Sequence, residues 1–415
     1  MTETETETVT TATTPTPHAE YPMARATGCP FDPPPALREQ RDGGPISRVR
    51  LWDGSAPWLI TRHDQVRALL GDPRISADPS RPGYPHRDAG AKARAGTRQT
   101  FITMDDPGHA RLRRMVTAPF AIKKVEAMRP AIQRIVDDLL DTMLAAPGPV
   151  DLVEAFALPL PSLVICELLG VPYEKHDFFQ KHTKVLVRRN GDPQEVIAAS
   201  EALIDYLEDL LTDKLAEPGD DILSDLATKR VATGELTARE AAEMGSLLLA
   251  AGHETTANMI ALGTVALLQH PDQLALLRDG DDPKEIAAAV EELLRYLTIV
   301  HFGRLRVAVE DIEIGGVTLR AGDGVICAAD IANRDPELFP DPDRLDLTRD
   351  ARRHIAFGFG VHQCLGQPLA RVELQVVYST LYRRIPTLAL ATGVDQLRFK
   401  HDGVIYGVYE LPVTW

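Results

Sequence analysis

The stretch Phe357-Gly358-Phe359-Gly360-Val361-His362-Gln363-Cys364-Leu365-Gly366 is the most informative in the chain. Glycines at 358, 360 and 366 permit a tight backbone whose N–H groups turn toward one sulfur, that of Cys364. A helical pattern follows from about Leu365 to Ile385 and stops at Pro386, so its positive end meets the same sulfur. Both features favour thiolate, the form that binds a metal. The bland alternative is a glycine-rich helix start with an incidental buried cysteine. Cys29, Cys166 and Cys327 are far apart and form no C-x-x-C pair, which speaks against a disulfide framework or a zinc cluster. Cys166, inside an apolar run, and Cys327 read as small buried hydrophobes.

Upstream of that loop, residues 237–270 read as one long helix, apolar on most sides and therefore buried. Within it, Ala250-Ala251-Gly252-His253-Glu254-Thr255-Thr256 places a carboxylate where one is costly without a partner or a role. A second helix, 283–298, has Asp282 as cap, Pro283 at its first position and an apolar face of Ile286, Val290, Leu293, Leu294 and Leu297. Glu292 and Arg295 fall opposite that face, three apart; alone they describe a surface ion pair. His109 and Arg113 sit four apart at a helix start, and Arg304 lies nine residues after Arg295. Any one of these cations alone is ordinary solvated surface.

Taken together, these segments resemble the bacterial cytochrome P-450 family of haem-thiolate monooxygenases. The loop matches F-x-x-G-x-[HR]-x-C-x-G position by position. Ala251–Thr256 is similar to [AG]-G-x-[DE]-T-[TS], Glu292 and Arg295 to E-x-x-R, and His109 and Arg113 to H-x-x-x-R. The likeness covers nearly the whole chain from about Cys29. It implies a mainly α fold with small β-sheets, a single triangular domain with haem b between the long distal helix and the Cys-loop helix. Cys364 would be the axial thiolate, with Phe357 beside it. His109, Arg113, Arg304 and His362 would meet the propionates, and Ala251, Gly252 and Gly366 would lie against the macrocycle. Thr255 would orient dioxygen and Glu254 relay protons, although many relatives carry Asp there, which leaves the relay geometry open. Glu292, Arg295 and Arg344 would form a structural brace. The substrate pocket would draw on Leu247, Leu248, Ala251, Ile299, Val300, Ile405 and Tyr406, with arginines 74, 81, 87, 94, 98, 188 and 189 as polar candidates. The run Gly252–Asn258 and the ending Glu410–Trp415 are closest to soluble actinobacterial members that hydroxylate bulky apolar metabolites and drugs.

The chain has 415 residues and a formal charge of −15, which argues against nucleic-acid binding. No apolar run approaches the roughly 20 residues that span a bilayer. Residues 1–20, rich in Thr, Glu and Pro, read as a disordered tail before one domain over 21–415. A cytoplasmic monomer is expected. Nothing resembles an attached flavin or iron–sulfur domain, so NAD(P)H electrons would arrive indirectly through a ferredoxin reductase and an acidic ferredoxin. The docking patch would be Arg111, Arg114, Lys123, Lys124, Arg352, Arg353 and Arg371. Epoxidation, dealkylation or coupling by the same oxidant stays open. A non-catalytic haem sensor also stays open, though Glu254 and Thr255 count against it.

Elsewhere the patterns predict strands at 46–51 and 57–61, a short helix at 63–70 and a long loop over 75–100. Near-continuous helix is expected from 107 to 269, and short strands at 312–314, 317–319 and 324–328.

Overall fold

The computed structural model describes residues 18–26, 28–95, 100–187 and 192–415. Helices dominate, and four carry the argument: α1 (Gly108–Thr117), α2 (Ala238–Gln269), α3 (Pro283–Leu297) and α4 (Gln367–Arg384). The start of α2 is fixed by a capping box. Thr237 Oγ1 accepts from the Glu240 amide at 3.1 Å, and Glu240 Oε2 accepts from the Thr237 amide at 2.8 Å. Its second half is buried without a break from Thr256 to Leu267. The reason lies in the sequence: a helix apolar all round needs neighbours all round. Pro159–Leu169, Pro193–Ala216 and α4 supply them. The α2–α4 contact is close because residue 263 is glycine. The Tyr378 hydroxyl donates to the Met259 carbonyl at 2.6 Å, and a Cβ at 263 would lie 2.0 Å from that hydroxyl.

The strands are β1 (Ala19–Glu20), β2 (Ile46–Arg50), β3 (Trp58–Ile60), β4 (Ile75–Ser76), β5 (Val150–Asp151), β6 (Arg304–Ala308), β7 (Ile312–Ile314), β8 (Val317–Leu319), β9 (Gly324–Cys327), β10 (Ala389–Leu390) and β11 (Pro412–Thr414). They form a sheet of order β1-β2-β3-β9-β6-β4, a second of order β10-β11-β5, and the hairpin β7-β8. In the large sheet β6 runs antiparallel to β9 with Arg304 opposite Cys327, so β6 lies inside the sheet and its side chains are firmly placed. α3 and α4 pack against each other, and the start of β6 meets the segment before the Cys364 loop, where Arg304 donates to the Ala356 carbonyl. Among the described residues no helix is long and apolar enough to cross a membrane.

The expected long loop over 75–100 is instead β4 followed by the helix Ala89–Arg94, capped by Asp88, whose carboxylate accepts from the Ala91 amide at 2.7 Å. Ala19 and Glu20, assigned by composition to the tail, pair in parallel with Val49 and Arg50. β11 matches the strand-like pattern that ends on Trp415, whereas β5, β6 and β10 have no such local signal. Strands of two to five residues are set by partners far away in sequence, a signal that no local period contains.

Candidate active site

The Cys364 loop is closed by its own backbone: the Cys364 amide donates to the Phe357 carbonyl at 2.9 Å. Two of its glycines are required by conformation. Gly358 and Gly360 have φ of +73° and +75°, and a Cβ at 360 would stand 2.2 Å from the Leu70 carbonyl oxygen. Gly366 is different. Its φ is −80°, and no atom of the described chain comes within 4 Å of where its Cβ would be. Neither backbone nor packing explains that glycine, whereas a flat group lying against it does. Cys364 keeps accessible surface although protein surrounds it on most sides, so it sits at the bottom of a recess.

Burial raises the Cys364 pKa; the Gly366 amide and the guanidiniums of Arg304, Arg113 and Arg371 oppose it without prevailing. The Gly366 amide acts in the direction read from the loop, and a cation bound at the sulfur would add to it. Among the described residues no three metal-binding side chains gather in one place. A bare ion has no cage here, but a cofactor that brings its own equatorial ligands needs only one axial donor.

One wall beside the recess is cationic. The rings of His109 and His362 lie 4.3 Å apart. His109 Nδ1 is 3.0 Å from Asp106, while its buried Nε2 has no partner among the described residues. Arg113 donates to the Gln363 carbonyl at 2.5 Å, and Arg304 to the Ala356 carbonyl at 3.0 Å. Burial, then Arg306, then His109 push the His362 imidazole down to about 4. Burial and then Arg306 push Arg304 down to about 10. These groups crowd one another without enough negative charge nearby, which suits them to a ligand carrying carboxylates. Arg306 was missed by sequence reasoning. The available signal was its place two residues after Arg304, hence on the same face of a strand.

Along its length α2 keeps an open strip. Leu247, Ala251 and Thr255, at i, i+4 and i+8, retain accessible surface, whereas His253, Glu254 and Thr256 are buried. The Thr255 hydroxyl donates to the Ala251 carbonyl at 2.8 Å, so its oxygen lone pairs remain to accept from the open side. Glu254 turns to different neighbours. Its Oε2 accepts from Asn258 at 2.9 Å and lies 3.5 Å from Lys400 Nζ. Lys400, in the C-terminal segment, is the partner that sequence alone did not name. A Cβ at Gly252 would stand 3.0 Å from the Ile165 side chain, so its smallness also serves helix packing.

Of the expected pocket residues, Leu247, Ala251, Val300 and Ile405 keep accessible surface, while Leu248, Ile299 and Tyr406 are core residues. Arg25 covers the Tyr406 ring at 3.9 Å. Arg74, Arg81 and Arg87 each sit on a nearby carboxylate, of Asp72, Asp105 and Asp88. Arg98, Arg188 and Arg189 lie outside the described residues.

Two carboxylates brace the loop from behind. Glu292 and Arg295 are fully buried, not exposed: Arg295 donates to Glu292 through Nε at 2.6 Å and Nη2 at 2.8 Å, and to the carbonyls of Asn333 and Pro342 through Nη1. The expected third member, Arg344, points outward onto Asp346 and offers only its carbonyl, 3.5 Å from Arg295. Arg349 takes its place, with Nε 3.2 Å from Glu292 Oε1. The segment after Pro340 wraps the pair with its carbonyls inward, which sends Arg344 out. Glu291, next in sequence, meets Arg371 at 2.6 and 2.9 Å and His354 at 3.0 Å. Burial pushes the Glu291 carboxyl up, but those partners outweigh it and hold it at about 2. The Arg371 guanidinium covers the Phe357 ring at 4.6 Å, so this second network clamps the start of the loop.

Glu373 lies on α4 behind the reacting face of α2. It is buried, hydrogen-bonded to Thr256, and burial pushes its pKa up to about 8 against that bond. An unfolded chain releases this proton near pH 4.3, so stability should fall as pH rises from there toward 8. Glu373→Gln removes that slope. Urea denaturation should show the variant more stable than the parent at pH 8, with the advantage gone near pH 4. A difference that does not change with pH would mean that Glu373 is ionised in the folded state.

The recess, its cationic wall and its single thiol fit haem, and comparison with known proteins agrees. The family model described as Cytochrome P450 matches residues 286–388. Cytochrome P450 GfsF of Streptomyces halstedii is 59% identical over 401 residues, covering 95% of this chain and 96% of that protein. The crystal structure of GfsF superposes with a TM-score of 0.90 at 58% identity, covering 96% of this chain and 100% of that one. The mycinamicin VIII C21 methyl hydroxylase MycCI from Micromonospora griseorubida, bound to mycinamicin VIII, also gives 0.90 at 42% identity, covering 96% and 100%. With a thiol-bearing glycine loop and relatives this similar over nearly its whole length, the chain belongs to the cytochrome P450 family of monooxygenases.

Proposed function

We propose that this enzyme hydroxylates a bulky lipophilic small molecule with one oxygen atom of O2, using haem b ligated by Cys364. Electrons come from NAD(P)H through a ferredoxin reductase and an acidic ferredoxin. What supports this reading is the accessible Cys364 thiol in its glycine-bearing loop, beside cations short of negative partners, together with the similarity to cytochrome P450 GfsF. Bound there, haem supplies oxygen activation, with the thiolate donating electron density that favours O–O cleavage. The chain's own residues do the rest. His109, Arg113, Arg304 and His362, with Arg306, take up the propionate charge. Leu247, Ala251, Val300 and Ile405 present apolar surface to the substrate and limit water. The Thr255 oxygen accepts a hydrogen bond from the oxygen side while its own proton is held by Ala251, and Glu254 keeps a carboxylate one residue away under the charge of Lys400. A bulky metabolite is favoured by similarity to the hydroxylase bound to mycinamicin VIII. Reconstitution with a ferredoxin system, NADPH and a lipophilic library should give a product one oxygen heavier. Ligand binding without product would leave a haem-dependent binder.

Thr255→Ala tests the distal assignment. Substrate binding and NADPH consumption should persist, because pocket and thiol are untouched. Product per NADPH should fall severalfold to tenfold or more, on the scale of a lost proton-handling group, while hydrogen peroxide rises. Wild-type coupling would move the role to another hydroxyl, Thr256 being adjacent.

The docking patch is smaller than composition suggested. Arg371 is committed to Glu291, whereas Arg111, Arg114, Lys123, Lys124, Arg352 and Arg353 remain exposed. Val361, in the Cys364 loop, is 56% exposed and offers an apolar centre for the contact. Charge reversal at Lys123 and Lys124 should raise the ferredoxin concentration needed for half-maximal turnover severalfold at low salt, with the difference shrinking as salt rises. Equal values for both forms at low salt would leave the patch as solvated surface.

A further inference from the structure

Among the described residues, the guanidiniums of Arg304, Arg113 and Arg371 act on the Cys364 sulfur. They are not held alike. Arg304 and Arg113 donate to carbonyls, of Ala356 and Gln363, and belong to the cationic wall that suits a ligand carrying carboxylates. Arg371 brings its own counter-ion. Its Nε and Nη2 meet the two oxygens of Glu291 at 2.6 and 2.9 Å, the bidentate fork of a charge-assisted pair. Its Nη1 also donates to Gln367 Oε1 at 2.8 Å, and the guanidinium covers the Phe357 ring at 4.6 Å. His354 adds no net charge to this pair. The Ala356 amide donates to its Nδ1 at 3.1 Å, so the ring proton sits on Nε2 and points to Glu291 Oε2 at 3.0 Å. The Glu291 and Arg371 side chains are 11% and 27% exposed, so salt screens the pair little.

The Glu292–Arg295 pair already holds the segment behind the loop, with both side chains fully buried. Bracing alone does not call for a second carboxylate aimed at a cation that the sulfur feels. An unopposed positive charge beside a thiolate draws electron density away from a bound metal, whereas a cancelled one leaves that density to be donated. We infer that Glu291 sets the donor strength of Cys364 by neutralising Arg371, and so holds down the reduction potential of the bound haem. Glu291 acts through Arg371 and is therefore a positioning residue. Resting on the haem-thiolate reading, this assigns a sign to each variant. Removing the carboxylate charge leaves Arg371 unopposed, favours the electron-rich reduced state and raises the potential. Removing the guanidinium leaves Glu291 unopposed and lowers it. Removing both restores the balance. Arg371 keeps its place when Glu291 is changed, because Gln367 still accepts from Nη1.

Redox titration of the holoprotein, followed by absorption spectra, tests this without turnover. Glu291→Gln, close to the parent residue in size, should shift the equilibrium toward the reduced form roughly tenfold, which is 59 mV upward for one electron. Arg371→Gln should shift it downward, and the double variant should return close to the parent. Glu291→Asp keeps the charge and should keep the potential even where stability falls. A purely mechanical brace gives a different pattern: stability losses that add, and potentials that stay with the parent. The proposal is overturned if both single variants keep the parent's potential, or if both move it in the same direction. Should Glu291→Gln yield no folded protein, Arg371→Gln decides alone, and an unchanged or raised potential overturns the proposal. Every variant should retain the parent's reduced carbon monoxide band, because Cys364 is untouched. A parent without that band removes the haem-thiolate reading and this proposal with it, whereas a parent with the band and unmoved potentials in the variants removes the proposal alone.

Discussion

Cys364→Ser is expected to abolish the absorption band of the carbon monoxide complex that marks a thiolate ligand, and turnover with it. The physical ground is local. Cys364 is the one side chain at the bottom of the recess able to hold a soft metal centre, and among the described residues no cluster of His, Cys, Asp or Glu stands ready to replace it. A serine oxygen at the same place is a hard, weakly acidic donor that gives little electron density to iron. The cationic wall does not depend on the sulfur: Arg113 and Arg304 are positioned by the carbonyls of Gln363 and Ala356. The variant should therefore fold and still take up haem in part, so that ligation and chemistry fail while binding survives. Absorption spectra of the reduced carbon monoxide complex, with haem content measured alongside, separate the two. A serine variant with the parent's band and turnover would remove Cys364 from the centre of the enzyme.

Removing either half of the Glu292–Arg295 pair should be nearly as severe, by a different route. Both side chains are fully buried, and each carries hydrogen bonds that nothing else can make: Arg295 to two carbonyls, Glu292 to the Asp346 amide and Arg349. Truncating Glu292 leaves Arg295 as an uncompensated buried ion, and truncating Arg295 leaves the buried Glu292 with Arg349 alone, losses on the order of 3–5 kcal/mol, a large part of a domain's total stability. Arg295→Ala and Glu292→Ala should yield little soluble, haem-containing protein. Arg344→Ala is the control that discriminates. Its side chain is exposed on Asp346, so its loss should cost about 1 kcal/mol or less. Arg349→Ala, which takes one of several bonds from Glu292, should fall between. Thermal melting of the four variants gives the order. Equal losses for Arg344→Ala and Arg349→Ala would mean that the brace is assembled differently.

Local sequence was enough wherever the relevant physics is local. The capping box at Thr237, the Asp282–Pro283 helix start and the all-round apolar pattern of α2 are set by neighbours within four residues, and the elements begin and end within two residues of where those signals place them. The same holds for the family: spacing within a ten-residue loop fixes what kind of group can meet Cys364. What failed was each feature decided by a partner far along the chain. β6 exists because β9 and β4 flank it. Arg349 rather than Arg344 reaches Glu292 because a loop wraps inward. Glu254 is tolerated because Lys400, 146 positions later in sequence, comes beside it. Tyr406 is core because an N-terminal arginine lies over its ring. Hydrogen-bonding partners and burial are properties of pairs, and a chain read from one end to the other carries only one member of each pair at a time. Composition and period therefore determined which elements form and what chemistry they bring, while tertiary packing alone decided which charges meet and which side chains remain open to a substrate.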